Sequence, residues 1–207
     1  MSDDAPGDLR RRVMEGYDGL ADVYADQRAA GTDDPDLLAR LLAALPENGR
    51  VLDAGCGAGD LVLESLPADA TGVGIDISRE QVERARTRAD GVARADMTRL
   101  PFAADSFDAV TAMYSVIHVP AAEHGAFYAE LARVLRPGGD AVVVTGHDAW
   151  AGANDDWLDA DVEMAWSWPD LETTRELLGD AGLEIVSEED VADSLGGSFR
   201  HLRLRQS

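Results

Sequence analysis

Short apolar segments alternate with amphipathic helical patterns along most of the chain. Each apolar segment is bounded by glycine, proline or charged residues, which is typical of buried strands in a layered α/β fold. The pattern predicts strands at 50–54, 71–77, 91–95, 107–113, 140–145, 183–187 and 199–205. It predicts helices at 9–28, 34–45, 60–66, 78–90, 121–135 and 171–181.

The connections between these segments predict a mostly parallel sheet. A helix follows most of the strands, so the chain crosses over the sheet and helices cover both faces. Only a turn around Gly196-Gly197 separates the last two strands, which predicts an antiparallel pair at one edge. The fold class is therefore α/β, a Rossmann-like doubly wound sheet of seven strands. Ligands of such sheets bind at the carboxyl ends of the strands.

The segment VLDAGCGAGD, from Val51 to Asp60, places three glycines directly after the first predicted strand. Gly55, Gly57 and Gly59 can adopt positive φ, so that a ligand touches bare backbone amides. The dinucleotide pattern G-x-G-x-x-G needs one more residue before its third glycine, and a P-loop needs a lysine, which the chain lacks. The free amides at the start of the helix predicted from Asp60 favour an anion. Because that helix begins with an acidic residue, pyrophosphate is disfavoured, and a ligand that carries the carboxylate and ammonium of an amino acid is favoured. A tight turn without a ligand is the alternative.

Two acidic residues at the ends of later strands extend the predicted ligand site. Asp76 ends the segment TGVGID and can accept hydrogen bonds from both hydroxyls of a ribose. Ala95-Asp96-Met97 ends the third strand, where a carboxylate beside a thioether suits the exocyclic amine and the flat face of an adenine. The ligand indicated by the residues is an amino acid joined to a ribose and an adenine, without phosphate.

Taken in order, five motifs resemble those of class I S-adenosylmethionine-dependent methyltransferases of the small-molecule type. They are VLDAGCGAGD, VGIDIS, ADMTRLPF, FDAVTAMYSVIHV and ELARVLRPGGDAVVVTG, and they cover about 50–146, roughly half of the chain. The ordered set is far more specific than any of its members. The resemblance implies S-adenosyl-L-methionine as cofactor, S-adenosyl-L-homocysteine as product, no metal, and a sheet of strand order 3-2-1-4-5-7-6 with an antiparallel last strand.

The resemblance also implies roles for individual residues. The methionine end of the cofactor would be held in the first motif, by Asp53, Gly55, Cys56, Gly57 and Gly59. Asp76 would hold the ribose, and Ile77 would lie against the adenine. Asp96 and Met97 would meet the edge and the face of the adenine, and Met113 to Ser115 would lie beside the methyl group.

Two segments of the chain that carry tyrosine and histidine are predicted to face the methyl acceptor. Tyr17 and Tyr24 are seven residues apart on the N-terminal helix and therefore share one face. By the resemblance such a helix closes over the cofactor, which makes Tyr17 a candidate catalytic residue and Tyr24 a substrate contact. After the fourth strand, Tyr114 and Ser115 are candidate substrate contacts, and His118 is a candidate base or hydrogen-bond donor. The alternatives are core packing of the rings and a structural histidine.

A third segment, which follows the fifth strand, is rich in tryptophan. All four tryptophans of the chain lie within 146–168, with His147 and Asp148 at its start. An aromatic insertion at the carboxyl ends of the strands is predicted to be a substrate lid. Its candidate substrate contacts are His147, Trp150 and Trp166. A hydrophobic flap without specificity is the alternative.

Composition bears on the environment and the partners. The 207 residues include 40 acidic and 18 basic ones, all of the latter arginine, for a net charge of −22. Acidic residues spread over the whole chain predict a solvated surface of the halophilic kind, and they disfavour nucleic acid as a partner. The Asn/Asp-Pro-Pro-Tyr pattern of enzymes that methylate nucleic-acid amino groups is also absent. The expected acceptor is a small molecule, and the expected assembly is a monomer or homodimer.

Compartment and domain organisation follow from what the sequence contains. The single cysteine, Cys56, excludes an internal disulfide and is interpreted as a compact filler of the glycine loop. No apolar run approaches about 20 residues, and the polar start MSDDAPGDLRRR is unlike a signal peptide, so a cytoplasmic protein without a membrane partner is expected. The predicted parts are an N-terminal helical cap (1–46), a cofactor-binding core (47–146), an aromatic lid (147–169) and a C-terminal helix with a strand pair (170–207).

Two other functions are compatible with parts of this pattern. A protein that binds S-adenosylmethionine without turnover would keep the same cofactor motifs, because methyl transfer needs little from side chains. A nicotinamide-dependent oxidoreductase would share the glycine-rich turn, but the spacing of the glycines opposes it.

Overall fold

The computed structural model of the protein describes residues 6–29, 36–89, 91–193 and 196–207. Its α-helices are α1 (Pro6–Ala29), α2 (Asp36–Ala43), α3 (Arg79–Ala85), α4 (His124–Val134) and α5 (Leu171–Asp180). Its strands are β1 (Arg50–Ala54), β2 (Thr71–Asp76), β3 (Gly91–Arg94), β4 (Phe107–Ala112), β5 (Leu135–Thr145), β6 (Trp150–Asn154), β7 (Met164–Trp168), β8 (Leu183–Ala192) and β9 (Ser198–Gln206). The predicted start of the second helix, at Asp34-Pro35, lies outside the described residues.

Seven of the strands form one sheet in the order β3-β2-β1-β4-β5-β9-β8. The neighbours from β3 to β5 run parallel, whereas β9 is antiparallel to both β5 and β8. The predicted Rossmann-like class with an antiparallel last strand is thereby confirmed. Counted within this sheet, the strands follow the predicted order 3-2-1-4-5-7-6. The labels differ in detail because β6 and β7, which the sequence pattern does not reveal, precede the last pair and bond only to each other.

The order of the strands reverses between β1 and β4, and this reversal locates the site. From β1 the chain runs outward through β2 to β3, and it then returns to β4 on the other side of β1. Connections on the two sides of such a point cover opposite faces, so a crevice opens beyond the carboxyl ends of the two strands. Asp53 and Gly55 lie at the end of β1, and Met113 and Ser115 lie at the end of β4.

Side chains on both faces of the central strands are buried, because successive residues point to opposite sides of the sheet. On one face, Leu52 belongs to a cluster with Phe127 and Leu131 of α4. On the other face, Val51 clusters with Leu37 of α2. All five are at most 1% exposed, and burying a side chain of this size stabilises the fold by about 1.5–3 kcal/mol. The strand ends at the crevice are therefore carried by a well-packed core.

The helix predicted at 60–66 is wrong: the segment forms only the 3₁₀ turn Leu63–Ser65. Gly59 precedes it with a φ of +86°, and Pro67 follows it. The segment between Gly59 and Pro67 is too short for a stable α-helix, because forming the first helical turn costs free energy that only further turns recover. The glycine loop therefore leads into a turn without the array of free amides that a helix would supply.

Two other boundaries differ from prediction, and one signal is confirmed. The segment Pro137-Gly138-Gly139 lies within β5, where the register with β4 shifts, and α4 has already ended at Val134. The helix predicted at 78–90 ends at Ala85. The spacing Ser78-x-x-Gln81 predicts that Ser78 caps this helix. The structure confirms this cap, since Ser78 Oγ accepts a hydrogen bond from the Gln81 amide at 3.2 Å.

The helix α1 and the β6–β7 hairpin together form a roof over the crevice. Gly16 of α1 approaches β7 so closely that a Cβ there would lie 2.8 Å from both the Glu163 carbonyl oxygen and the Met164 Cε. Met164 is fully buried in a cluster with Val13 and Leu20 of α1. At 24 residues α1 is long, but neither it nor another described helix is also apolar enough to cross a bilayer.

Candidate active site

An open cleft of about 700 Å³ lies beneath α1 at the carboxyl ends of β1, β2 and β4. Its lining includes predicted cofactor-binding residues, namely Gly55, Gly57, Asp76, Ile77, Asp96, Met97 and Met113. It also includes predicted catalytic or substrate residues, namely Tyr17, Tyr24, Tyr114, Ser115 and His118. Asp53 and Cys56 line an adjoining cavity between the glycine loop and α1. The structure thus brings most of the predicted site residues together, whereas Gly59 lines neither space.

The end of β4 packs so closely against Gly55 that the position admits no side chain. Gly55 has a φ of +80°, and a Cβ built on it would lie 2.2 Å from the Cβ of Ser115. Ser115 is held in place because its Oγ donates a hydrogen bond to the Ala54 carbonyl at 2.7 Å. The glycine loop and the segment after β4 therefore form one rigid floor of the cleft.

The expectation that the loop offers bare amides is wrong for most of its residues. The amides of Gly55 and Cys56 both donate to the Ile75 carbonyl, at 2.8 and 2.9 Å. The amide of Gly57 donates to the Asp76 carboxylate at 2.9 Å, and that of Gly59 donates to the Cys56 carbonyl at 2.9 Å. With these donors occupied and the helix after the loop missing, the loop does not favour an anion. Its neighbouring carboxylates instead suit a cationic ligand group.

Two buried carboxylates, Asp53 and Asp76, lie behind the glycine loop. Asp53 is 3% exposed and accepts a hydrogen bond from Thr111 Oγ1 at 2.8 Å. Burial raises the pKa of Asp53 to about 7, against the effect of the Thr111 hydrogen bond. Burial also raises the pKa of Asp76, whose Oδ1 accepts from the Ser78 amide at 2.8 Å. A cation or a pair of hydroxyls at these oxygens would recover part of the lost solvation.

Asp96 lies at the far end of the cleft, beyond β3. Its Oδ1 accepts from the amide and the hydroxyl of Thr98, at 2.8 and 2.7 Å. Its Oδ2 lies 2.7 Å from Nε of Arg10, which also contacts Glu123. Asp96 is therefore fixed in orientation and partly neutralised where the adenine edge is expected.

Arg10 is a cleft residue that sequence reasoning missed. From the sequence alone, the segment Arg10-Arg11-Arg12 is only a short basic run among acids. The spacing along the helix could have revealed it, because Arg10, Tyr17 and Tyr24 are seven residues apart and therefore share one face of α1. A second contact between α1 and the cofactor side comes from Asp18, whose Oδ1 accepts a hydrogen bond from Ser78 Oγ at 2.6 Å. The roof is therefore held to the cofactor side of the cleft by charged and polar contacts.

Tyr17 and His118 meet across the cleft. The Tyr17 hydroxyl lies 2.9 Å from His118 Nε2, and His118 Nδ1 lies 2.8 Å from the Ala165 carbonyl oxygen. A carbonyl can only accept, so Nδ1 carries the proton; in the neutral ring Nε2 is then an acceptor and the Tyr17 hydroxyl donates to it. The pair is a hydroxyl joined to a base, at the boundary between the cofactor cleft and a second cavity.

This second cavity, which is open to solvent and spans about 510 Å³ of empty space, lies under the β6–β7 hairpin and shares Tyr17, Tyr114 and His118 with the cleft. Its other walls are largely aromatic: Trp150, Trp157, Trp166, Trp168 and Phe199. Trp157 and Trp166 meet edge to face with centroids 5.3 Å apart, and Trp150 stacks on Trp168 at 5.2 Å. We refer to this space as the aromatic cavity. Sequence reasoning did not select Trp157, Trp168 or Phe199 as contacts, and no local signal links Phe199 of β9 to the hairpin.

Two predicted residues, His147 and Cys56, line neither the cofactor cleft nor the aromatic cavity. His147 does not line the aromatic cavity; its Nδ1 faces Asp190 at 3.5 Å, and its Nε2 lies 3.4 Å from Ser198 Oγ. The Cys56 side chain packs against β2, where a Cβ on Gly74 would lie 2.8 Å from its sulfur, and burial raises the pKa of the thiol. In the part of the chain that the structure describes, no three His, Cys, Asp or Glu side chains group as a metal site would require.

Comparisons with known proteins bear on this architecture. Residues 51–139 match the family described as methyltransferase domain. The chain is 34% identical, over 87% of its own length and 76% of the relative's, to 27-O-demethylrifamycin SV methyltransferase from Amycolatopsis mediterranei. It is 35% identical over 70% of its length to methyltransferase GfsG from Streptomyces halstedii, of which it spans only 56%. Magnesium protoporphyrin IX methyltransferase from Synechocystis, solved with bound S-adenosylmethionine, has the same fold, with a TM-score of 0.71 over 100% of both chains at 20% identity.

Proposed function

The chain belongs to the S-adenosylmethionine-dependent methyltransferases, and we propose that it transfers the methyl group to a small-molecule acceptor bound in the aromatic cavity. The observation that carries the proposal is the shared boundary of the two spaces. Tyr17, Tyr114 and His118 line both the cofactor cleft and the aromatic cavity. A donor in the first and an acceptor in the second would therefore meet at these side chains.

The residues of the cleft fit the parts of S-adenosylmethionine in order. Asp53 and the glycine loop suit an amino-acid end with an ammonium group, and Asp76 suits the ribose hydroxyls. Ile77 and Met97 offer apolar surfaces for the adenine, beside the Asp96 carboxylate. When bound, the cofactor supplies a methyl group on a positively charged sulfonium sulfur.

The chain's own contribution is alignment and exclusion of water. The roof of α1 and the hairpin covers the meeting point, and orientation of two reactants in this way can contribute about 7–11 kcal/mol. The rings of Tyr17, Tyr24, Trp157 and Trp166 form a chain of edge-to-face contacts that includes the shared residue Tyr17. An aromatic face at this point would stabilise a cationic sulfur. Proton removal from a protonated acceptor falls to His118, the base that touches both spaces.

Replacing Asp76 by alanine tests the assignment of the cofactor site. We expect affinity for S-adenosylhomocysteine, measured by titration calorimetry, to fall at least about 10-fold, since the change removes a charge-assisted contact to two hydroxyls. The matched control is Asp69→Ala, an exposed acid just before the amino end of the same strand. Equal affinities in the two variants would contradict the assignment.

The buried carboxyl of Asp53 predicts that cofactor affinity depends on pH. The folded-state pKa of Asp53, about 7, lies above the ordinary value of a carboxyl group, so Asp53 is mostly neutral below pH 7 in the folded protein. Because the unfolded chain releases this proton more easily, the free energy of unfolding falls as pH rises from about 4 through 7. Only the ionised form pairs with an ammonium, so affinity for S-adenosylhomocysteine should rise about 10-fold between pH 6 and 8. Asp53→Asn keeps an acceptor for Thr111 and should abolish the rise; an unchanged pH dependence in that variant would remove Asp53 from the site.

The acceptor and the environment are part of the same proposal. Release of S-adenosylhomocysteine from S-adenosylmethionine, screened with a library of small metabolites, tests whether a small molecule is methylated. The acidic composition supports work in a salt-rich cytoplasm and opposes a nucleic-acid acceptor, since phosphate binding requires a basic surface. A monomer or homodimer is the expected assembly.

A further inference from the structure

The walls of the aromatic cavity restrict the chemistry of its ligand. Seven of its eleven described lining residues are tyrosine, tryptophan or phenylalanine, and none of the eleven is arginine. Flat rings favour stacked or edge-on contact with another flat ring. A carboxylate or a phosphate would find no guanidinium to pair with among the wall residues that the structure describes, and burying an unpaired charge is costly. The cavity therefore favours a planar, largely apolar molecule without an acidic group.

The direction of the hydrogen bonds at the cavity mouth restricts it further. The Ala165 carbonyl accepts a hydrogen bond from Nδ1 of His118, so the ring proton lies on Nδ1. The other ring nitrogen, Nε2, therefore accepts a hydrogen bond from the Tyr17 hydroxyl, at a donor–acceptor distance of 2.9 Å. The Tyr17 oxygen, which carries lone pairs of its own, can accept a hydrogen bond from a ligand hydroxyl. Tyr17 lines both spaces, and so a ligand proton at this point has a path to an imidazole.

We propose that the methyl acceptor is a planar phenol, and that its hydroxyl proton passes to Tyr17 as the Tyr17 proton passes to His118. This inference rests on the proposed function. The O–H bond of the acceptor breaks, a new O–H bond forms at Tyr17, and the Tyr17 proton forms an N–H bond at Nε2. The phenolate oxygen then accepts the methyl group. The positive charge lost at sulfur is matched by the imidazolium, which returns its proton to water.

The relay suits a phenol better than an aliphatic alcohol. Tyr17 is neutral before and after the relay, so the proton passes in effect from the acceptor to the His118 imidazole, and the acidity of the acceptor sets the cost of the transfer. Phenols, like the tyrosine side chain in model peptides, ionise with a pKa of about 10. An aliphatic hydroxyl is far less acidic, and the same transfer would be steeply unfavourable. General-base catalysis depends on the driving force for proton transfer to the base, here His118, and this favours the more acidic acceptor. The side chains at the cavity mouth therefore select an acceptor by acidity as well as by shape.

Three naphthalene compounds of nearly equal size test the acceptor class: 2-naphthol, 2-naphthylmethylamine and 2-naphthoic acid. Each is incubated with the protein and S-adenosylmethionine, and S-adenosylhomocysteine is measured. We expect release with 2-naphthol only. Release with the amine or the acid in preference to the phenol, or with none of the three while calorimetry shows bound cofactor, would overturn the class. Absence of cofactor binding would instead contradict the proposed function.

The variant Tyr17→Phe tests the relay separately from the shape of the cavity. Turnover of 2-naphthol should fall about 100-fold, whereas 1-nitro-2-naphthol, which is already ionised at neutral pH, should lose less than about 3-fold. His118→Gln should show the same contrast. Equal losses for both acceptors would show that Tyr17 only packs, and would overturn the relay.

A readout without turnover uses the absorbance of 2-naphthol bound beside S-adenosylhomocysteine, because ground-state naphtholate absorbs at longer wavelengths than naphthol. The wild type should hold at least about 10-fold more naphtholate than Tyr17→Phe at the same pH, which corresponds to one pKa unit. Tyr128→Phe is the control, since Tyr128 is buried in the α4 core away from the cleft and should leave the naphtholate fraction unchanged. An equal fraction in wild type and Tyr17→Phe would contradict the relay.

Discussion

Replacing Gly55 by alanine is expected to lower the free energy of unfolding by about 2–5 kcal/mol and to abolish measurable cofactor binding. Alanine at a φ of +80° costs about 1–2 kcal/mol. The added Cβ would also lie 2.2 Å from the Ser115 Cβ, and overpacking of this kind costs about 1–3 kcal/mol more. Relief of the overlap must move the glycine loop or the end of β4, and both line the cleft. Denaturant unfolding and calorimetry with S-adenosylhomocysteine measure the two effects.

Two further variants separate the overlap from the backbone strain. Gly138 has nearly the same φ, +77°, and no atom of the described residues lies within 4 Å of the place that an added methyl group would take, so Gly138→Ala should show the strain alone. In a Ser115→Gly background the Gly55→Ala change should cost at least about 1 kcal/mol less, because the clashing atom is gone. If Gly55→Ala costs no more than Gly138→Ala, the close approach of Ser115 is not what restricts this position.

Raising the KCl concentration from about 0.1 M to about 1 M is expected to stabilise the protein by at least about 3 kcal/mol. The net charge of −22 repels itself most strongly in the folded state, where the charges lie closest together. The screening length falls from about 10 Å to about 3 Å over this range, which removes most of that repulsion. For a chain of this length the gain corresponds to a rise of about 6–12 °C in melting temperature.

A less acidic variant is the control for this effect. Asp155, Glu172 and Glu176 are exposed, and replacing all three by the corresponding amides should reduce the dependence of the melting temperature on KCl. A nonspecific effect of salt on apolar burial would leave that dependence unchanged. A melting temperature independent of KCl in the wild type would contradict the halophilic interpretation.

The sequence was sufficient to predict the central strands and the residues at their ends. Apolar runs bounded by Asp53 and Asp76 are short and carry no helical period, so their type and their carboxyl ends could be placed. The cleft follows from that placement, because parallel strands bring their carboxyl ends to one edge. The strands β6 and β7 could not be predicted in this way, since WAGAN and MAWSW lack the alternation that marks half-buried strands.

Tertiary contacts explain the remaining differences. The loop amides were expected to be free, but a single carbonyl, that of Ile75 in the neighbouring strand, accepts from two of them. Arg10 could be placed on the face of Tyr17, but its partner Asp96 is 86 residues away along the chain. Phe199 reaches the aromatic cavity only because β9 pairs with β5. Pairings of this kind depend on the fold and have no local signal in the sequence.

A crystal structure with bound S-adenosylhomocysteine is the sharpest test of the proposed cofactor cleft. We expect the ribose on Asp76, the adenine beside Ile77 and Met97, and the sulfur directed towards Tyr17 and His118. An adenosyl group bound elsewhere, with this cleft filled only by solvent, would contradict the assignment of the cleft and the methyl transfer built on it.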